Sequence, residues 1–172
     1  MLLAGGALLI IAAYIARCPL FGICSPSPEL TYTVSVYQYT ATIPVWRYLY
    51  SANELSQAET DGWLSEGVVF LAFKQFQPET VPVYRYVATD PWRYQLSTKA
   101  AIGQGWTNEG VAFYAYAQPK DKIVGLQEPT QPIYQYYAVQ DGKWRYLYSP
   151  DANVGNGWKN TGPAFHALVK TK

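Results

Sequence analysis

Gly105-Trp106-Thr107-Asn108-Glu109-Gly110-Val111-Ala112-Phe113-Tyr114 decides the fold, because the chain carries three versions of it. The others are Gly62-Trp63 with Gly67-Val68-Val69-Phe70, and Gly157-Trp158 with Gly162-Pro163-Ala164-Phe165. Upstream of each lies a Trp-Arg-Tyr segment: Trp46-Arg47-Tyr48-Leu49-Tyr50-Ser51, Trp92-Arg93-Tyr94-Gln95-Leu96-Ser97 and Trp144-Arg145-Tyr146-Leu147-Tyr148-Ser149. Further upstream stand Tyr37-Gln38-Tyr39, Tyr84-Arg85-Tyr86 and Tyr134-Gln135-Tyr136. All 6 tryptophans fall at two equivalent positions of this unit. A repeat of this kind has to be settled before any single element is read, since each copy is one supersecondary unit that buries its apolar face only against its neighbours.

Period-two alternation makes the Tyr-x-Tyr and Trp-Arg-Tyr segments strands, with Trp46, Tyr48 and Tyr50 expected on one face and Arg47 and Leu49 on the other. Short turns join them at Thr42 to Pro44, at Thr89 to Pro91 and at Asp141-Gly142, the last a strong hairpin signal. Ser51-Ala52-Asn53-Glu54 has the form of a capping box and predicts a helical turn over 55–59. A glycine before each second Trp (Gly62, Gly105, Gly157) then stops the turn. Each unit ends in a strand, Val68 to Phe73, Val111 to Tyr116 and Pro163 to Leu168. There Phe70/Phe113/Phe165 and Ala72/Ala115/Ala167 are the same in every copy and are expected inside. The position between them reads Leu71, Tyr114 and His166, so its face is expected to be less buried.

The expected class is therefore mainly β: a three-fold pseudo-symmetric, β-trefoil-like domain over 33–172, with repeats at about 36–76, 83–118 and 133–169. An open sandwich built from the same hairpins is the alternative. The stretch Gln118 to Thr130 is expected to be a surface loop. The six tryptophans Trp46, Trp63, Trp92, Trp106, Trp144 and Trp158 are expected to be repeat-core rings, because a domain short of aliphatic residues fills its centre with aromatics. Tyr114, Tyr116 and Tyr137, at positions that vary between copies, are the candidate contact surface. Arg47, Arg93 and Arg145 are expected to stack on aromatic rings, since Glu66 and Glu109 have Thr161 in the third copy and offer no three-fold set of ion-pair partners.

The first thirty residues differ in character. From Leu2 to Ile15 no charge occurs, and a helix from Met1 to Cys18 would be about 27 Å long, close to the ~30 Å hydrocarbon core of a bilayer. Pro19 ends it, and Tyr14 and Arg17 suit the interface. The expectation is a single transmembrane anchor over 1–18 and a Cys/Pro linker over 19–32, stiffened by Ser25-Pro26-Ser27-Pro28. A cleaved signal peptide, a lipoprotein leader and a buried core helix compete with the anchor. Cys18 and Cys24, the 2 cysteines of the chain, are a candidate disulfide in an oxidising compartment or two unpaired thiols; Arg17 by itself would favour a cytoplasmic end, and the expectation is a repeat domain on the extracytoplasmic, periplasmic side.

Composition narrows the function. A net charge of +1 with 15% charged residues argues against a nucleic-acid footprint, which needs clustered Lys and Arg. No Ser or Cys has a plausible His and carboxylate partner, and no phosphate-cradling loop follows a strand, so neither catalytic residues nor a cofactor are expected. Two cysteines without further ligands do not complete a metal site. Glu66 and Glu109 sit at equivalent places in separate copies, too far apart for paired-carboxylate glycoside hydrolysis. The single histidine, His166, occupies the variable position and reads as surface.

The Gly-Trp-Thr-Asn-Glu-Gly-Val-Ala-Phe-Tyr run, with Tyr84-Arg85-Tyr86 and Trp92-Arg93-Tyr94 ahead of it, resembles an uncharacterised tyrosine-rich triple-repeat family of secreted and cell-surface proteins. The resemblance covers about 36–168. It departs from the family pattern where Trp-Arg-Tyr replaces a His-containing strand and where Thr161 replaces Glu. It implies binding or adhesion and carries over no catalytic residue. The expected function is a non-enzymatic, membrane-anchored interaction module, an accessory or scaffolding subunit whose partners are the lipid bilayer and other subunits of a membrane complex. A membrane-tethered carbohydrate-binding module with a glycan partner is the alternative.

Overall fold

Alternating aromatic and polar residues build one small sheet three times. In the computed structural model, which describes residues 32–56, 59–121 and 129–169, the strands are β1 (Thr33–Ala41), β2 (Arg47–Ser51), β3 (Leu64–Phe73), β4 (Thr80–Thr89), β5 (Trp92–Ser97), β6 (Thr107–Tyr116), β7 (Thr130–Gln140), β8 (Lys143–Ser149) and β9 (Lys159–Leu168). Unit 1 contains β1 to β3, unit 2 β4 to β6, and unit 3 β7 to β9. In each, the first strand is central, with an antiparallel neighbour on either side. The register is the same in all three: Tyr39 opposes Leu49, Tyr86 opposes Gln95 and Tyr136 opposes Leu147. On the other side Val36 opposes Phe70, Val83 opposes Phe113 and Ile133 opposes Phe165.

Two register shifts recur within each central-to-last strand pair. Beside them stand Gly67, Gly110 and Gly162, at φ of 86°, 100° and 98°. An extra residue is accommodated where one glycine takes the left-handed conformation, which explains why glycine stands there in every copy. A Cβ at Gly110 would meet nothing within 4 Å, so the cost of Gly110→Ala is conformational. It is expected to destabilise by about 1–3 kcal/mol, measured by urea unfolding, and a neutral result would refute the backbone explanation. The unit 3 turn is the expected two-residue hairpin, with Asp141 at φ 52° and Gly142 at φ 71° between the paired Gln140 and Lys143.

The units join through their last strands. Phe73 pairs with Tyr114, Tyr116 with His166, and Leu168 with Leu71. These are the same two repeat positions each time, running from unit 1 to 2, 2 to 3 and 3 back to 1. The nine strands thus form a single antiparallel sheet whose inter-unit contacts close a cycle. Around its axis Phe70, Phe113 and Phe165 form a triangle, with ring centroids 5.6 to 5.7 Å apart and edge-to-face planes. Val36, Val83 and Ile133, the three alanines Ala72, Ala115 and Ala167, and Tyr50, Leu96 and Tyr148 complete the core. Beyond the alanines a smaller cluster of Phe73, Tyr116 and Leu168 caps one end.

Several expectations are met and others corrected. The invariant Phe and Ala positions are buried, and Leu71, Tyr114 and His166 are only partly so. Gly62, Gly105 and Gly157 all have positive φ. The capping box lies further along than expected: Ser51 Oγ instead accepts the Asn53 N–H, as Ser97 accepts that of Lys99 and Ser149 that of Asp151. Glu59 Oε2 accepts from both the N–H and the hydroxyl of Ser56, at 2.9 and 2.7 Å. No helix occurs among the described residues, and none there is long and apolar enough to cross a membrane. The expected anchor, Cys18 and Cys24 lie outside the described residues. So does 122–128 of the expected 118–130 loop, whose ends are tied by Thr130 N–H donating to the Lys120 carbonyl (2.9 Å).

Polarity along the axis follows from the register. Thr33, where β1 begins, opposes Phe73, so the chain enters at the Phe73/Tyr116/Leu168 end. The hairpin turns after Ala41, Thr89 and Gln140 lie at the other, about 30 Å away for strands of this length.

Candidate functional site: an aromatic and arginine girdle

The tryptophans are not core rings. Trp46, Trp92 and Trp144, which follow the hairpin turns, are 43, 40 and 46% exposed, and Trp63, Trp106 and Trp158 are half-buried. The core is instead filled by phenylalanines and by Tyr39, Tyr86, Tyr136, Tyr50 and Tyr148. The reason lies in strand pairing. Tyr50 rather than Trp46 reaches the axis, because the inter-unit closure happens at the far end of the second strands. Trp46, Tyr48 and Tyr50 therefore run from exposed to half-buried to buried, while Arg47 and Leu49 on the opposite face are buried too.

What the tryptophans build is a cyclic seam. Trp63 packs on Tyr94 at 6.0 Å, Trp106 on Tyr146 at 5.8 Å and Trp158 on Tyr48 at 5.8 Å, each a ring of one unit against the next. The three arginines intercalate there, as expected. Arg47 lies over Trp63 (4.7 Å) and over Trp92 of unit 2 (4.6 Å). Arg145 lies over Trp46 of unit 1 (4.5 Å) and Trp158 (5.8 Å), and Arg93 over Trp106 (4.9 Å). Arg47 is 5% exposed, and a buried arginine is tolerable only with such compensation. Arg47 Nη1 also donates to the carbonyls of Ile43 and Val45 at 2.7 and 3.0 Å. Burial lowers the Arg47 pKa and the nearby Tyr94 opposes this.

Unit 3 departs from the pattern in two ways. Tyr137, where the other units have Thr40 and Val87, stacks on Trp144 at 5.0 Å and 27°, and Lys159 Nζ sits 5.7 Å over the Tyr137 ring. Its hairpin also carries Val139 to Trp144 between Ala138 and Arg145, against Thr42 to Trp46 and Thr89 to Trp92. Arg93 Nη1 donates to the Pro91 carbonyl at 3.0 Å, whereas Arg145 Nη2 donates to the side chain of Gln140. A groove of about 310 Å³ opens between the hairpin tips of units 3 and 1, lined by Thr42, Pro44, Val45, Trp46, Gln140, Asp141, Lys143 and Arg145.

The expected contact tyrosines separate. Tyr137 and Tyr114 remain half-exposed, Tyr114 against Phe76 at 6.2 Å. Tyr116 is a correction: it is 3% exposed and edge-on to Phe73 in the terminal cluster, because the cyclic pairing of the last strands covers it. Glu109 binds Arg85 at 2.6 Å rather than Arg93, and Thr161 Oγ donates to the Gln135 carbonyl instead (2.9 Å). His166 is half-buried at the seam of β6 and β9; burial lowers its pKa and the Ala117 backbone opposes the shift. Among the described residues no cluster of three or more His, Cys, Asp or Glu is placed to hold a metal ion.

Cyclic closure, equivalent registers and a repeated arginine–tryptophan seam define a three-unit, all-antiparallel β-domain with an aromatic girdle. The chain belongs to the family described as Domain of unknown function (DUF5648), whose model matches residues 22–116 and 93–172. No curated protein and no solved structure matches it.

Proposed function

We propose that the protein is a non-enzymatic interaction module held at the extracytoplasmic face of a membrane by residues 1–18, where it is an accessory or scaffolding subunit of a larger membrane complex. The finer architecture, a β-trefoil-like domain on an N-terminal helix joined by a Cys/Pro linker, is part of this reading, as is the secreted or cell-surface setting suggested by the tyrosine-rich repeat. One observation carries it: Trp46, Trp92 and Trp144 are exposed at the hairpin end, opposite the end where β1 enters. An anchor ahead of β1 then presents these rings away from the bilayer. Exposed tryptophans beside Ile43, which is largely solvent-exposed, suit a protein interface, whose anchors are aromatic.

The test is affinity purification of the full chain from gently solubilised membranes. Co-purification of defined subunits, lost when Trp46, Trp92 and Trp144 are all changed to Ser, is the expected result. Migration as a lone monomer in the membrane fraction counts against a subunit role, and recovery only from the soluble fraction removes the anchor.

A carbohydrate-binding module is the second reading. It is favoured by the groove at Trp46, where one aromatic ring is surrounded by Thr42, Gln140, Asp141 and Lys143.

A further inference from the structure

We infer that the groove between the hairpin tips of units 3 and 1 is a saccharide-binding subsite, with Trp46 as the platform for a sugar ring. The inference deepens the carbohydrate reading and rests on it. The argument begins with the ring itself. Arg145 lies 4.5 Å over the Trp46 ring and thereby fixes it. Yet Trp46, with Tyr48 beside it at 6.2 Å, stays 43% exposed and lines the groove. A pre-positioned, partly exposed indole costs a ligand little ordering entropy.

The rest of the lining matches a polyol more closely than an apolar chain. Asp141 is an acceptor, Lys143 a donor, and Gln140 and Thr42 each donate and accept. Vicinal hydroxyls both donate and accept, while the C–H face of a pyranose lies on an aromatic ring. The groove offers both chemistries within about 310 Å³. An apolar peptide segment would leave Asp141 and Lys143 desolvated and unpaired, at a cost that one indole does not offset.

Sequence differences between the units set this pair of hairpin tips apart. In units 1 and 2 the arginine is tied to turn carbonyls, Ile43 and Val45 for Arg47, Asp90 and Pro91 for Arg93. The longer unit 3 hairpin pairs Gln140 with Lys143 across an Asp-Gly turn, so Arg145 is held by the Gln140 side chain instead. The unit 3 hairpin is one pair longer than that of unit 2, which turns at Asp90-Pro91 directly after Thr89 opposes Trp92; the extra pair, Gln140 and Lys143, lines the groove with Trp46.

The experiment uses the full chain in a detergent without a sugar headgroup, first on a broad glycan array and then in titrations of the best glycan followed by tryptophan fluorescence. Binding to a restricted glycan set is expected. Trp46→Ala is expected to weaken it at least tenfold, Asp141→Ala and Lys143→Ala several-fold each, and Trp46→Phe to retain most of it. Lys99→Ala, an exposed side chain of unit 2 outside the groove, should bind as the native chain does. Circular dichroism melts establish that each variant is folded, and Lys143→Ala serves if Trp46→Ala does not fold. A silent array with folded protein overturns the carbohydrate reading altogether. A positive array with undiminished binding by Trp46→Phe, Trp46→Ala and Asp141→Ala leaves that reading standing and overturns this site.

Discussion

Replacing Phe113 with Ala is expected to destabilise the domain by about 3–5 kcal/mol. Its ring is 1% exposed and meets Phe70 at 5.7 Å and Phe165 at 5.6 Å, so truncation removes two edge-to-face contacts as well as the buried area. The surroundings relax poorly, because each neighbouring ring is fixed by an equivalent strand whose register repeats its own. A domain of ordinary stability, about 5–15 kcal/mol, would be left close to unfolding. Phe70→Ala and Phe165→Ala are expected to cost similar amounts, and double substitutions to be less than additive, since the second removes contacts already lost. Guanidinium-induced unfolding measures all of these. A cost below about 1.5 kcal/mol for every single variant would mean that the triangle does not hold the three units together.

Tyr148→Phe is expected to cost about 2–4 kcal/mol although it deletes one oxygen atom. The second strands approach each other near the axis, where Tyr148 Oη donates to the Leu96 carbonyl at 2.7 Å and accepts the Leu96 N–H at 2.9 Å. Tyr50 Oη does the same for the carbonyl and N–H of Tyr148, at 3.1 and 2.8 Å. One phenol thus satisfies both backbone groups of a residue on the neighbouring unit, and phenylalanine strands them in the core. The third link of the cycle is missing, because the equivalent residue of unit 2 is Leu96.

The same burial predicts alkaline sensitivity. Burial holds the phenols of Tyr50 and Tyr148 well above the usual tyrosine range, with the backbone hydrogen bonds opposing. Below about pH 10, the ordinary tyrosine pKa, both states carry the proton and stability is complete. Above it the unfolded chain ionises first, so the folded state loses about 1.4 kcal/mol per pH unit per phenol. Urea titrations between pH 9 and 11.5 should show this decline, with the slope shallower by about 1.4 kcal/mol per unit in Tyr148→Phe. An unchanged slope would mean that Tyr148 ionises alike in both states.

Comparing the three copies with one another located the invariant Phe and Ala positions, the hairpin at Asp141-Gly142 and the stacking of Arg47, Arg93 and Arg145. Each of these rests on local backbone chemistry or on a position filled identically three times, and such signals survive without knowledge of how the units meet. The tryptophans show where that logic ends. Invariance across copies marks a residue as used in the same way each time, and a seam between units is used three times just as a core is. Whether a repeated ring points to the axis or to the seam depends on where along the second strand the sheets converge. Tyr116 is similar: its position varies between copies, yet closure of β6 against β9 and β3 buries it.

Sequence alone determined the strand content, the triplication and the interior phenylalanines, because alternation, turn chemistry and repetition are written along the chain. Tertiary structure decided that the tryptophans form a girdle between units, with Trp46, Trp92 and Trp144 exposed, and that the hairpin tips of units 3 and 1 frame a groove. Both depend on which end of each sheet meets its neighbour and on how far one hairpin overreaches another, distances set by packing between units that no single unit encodes.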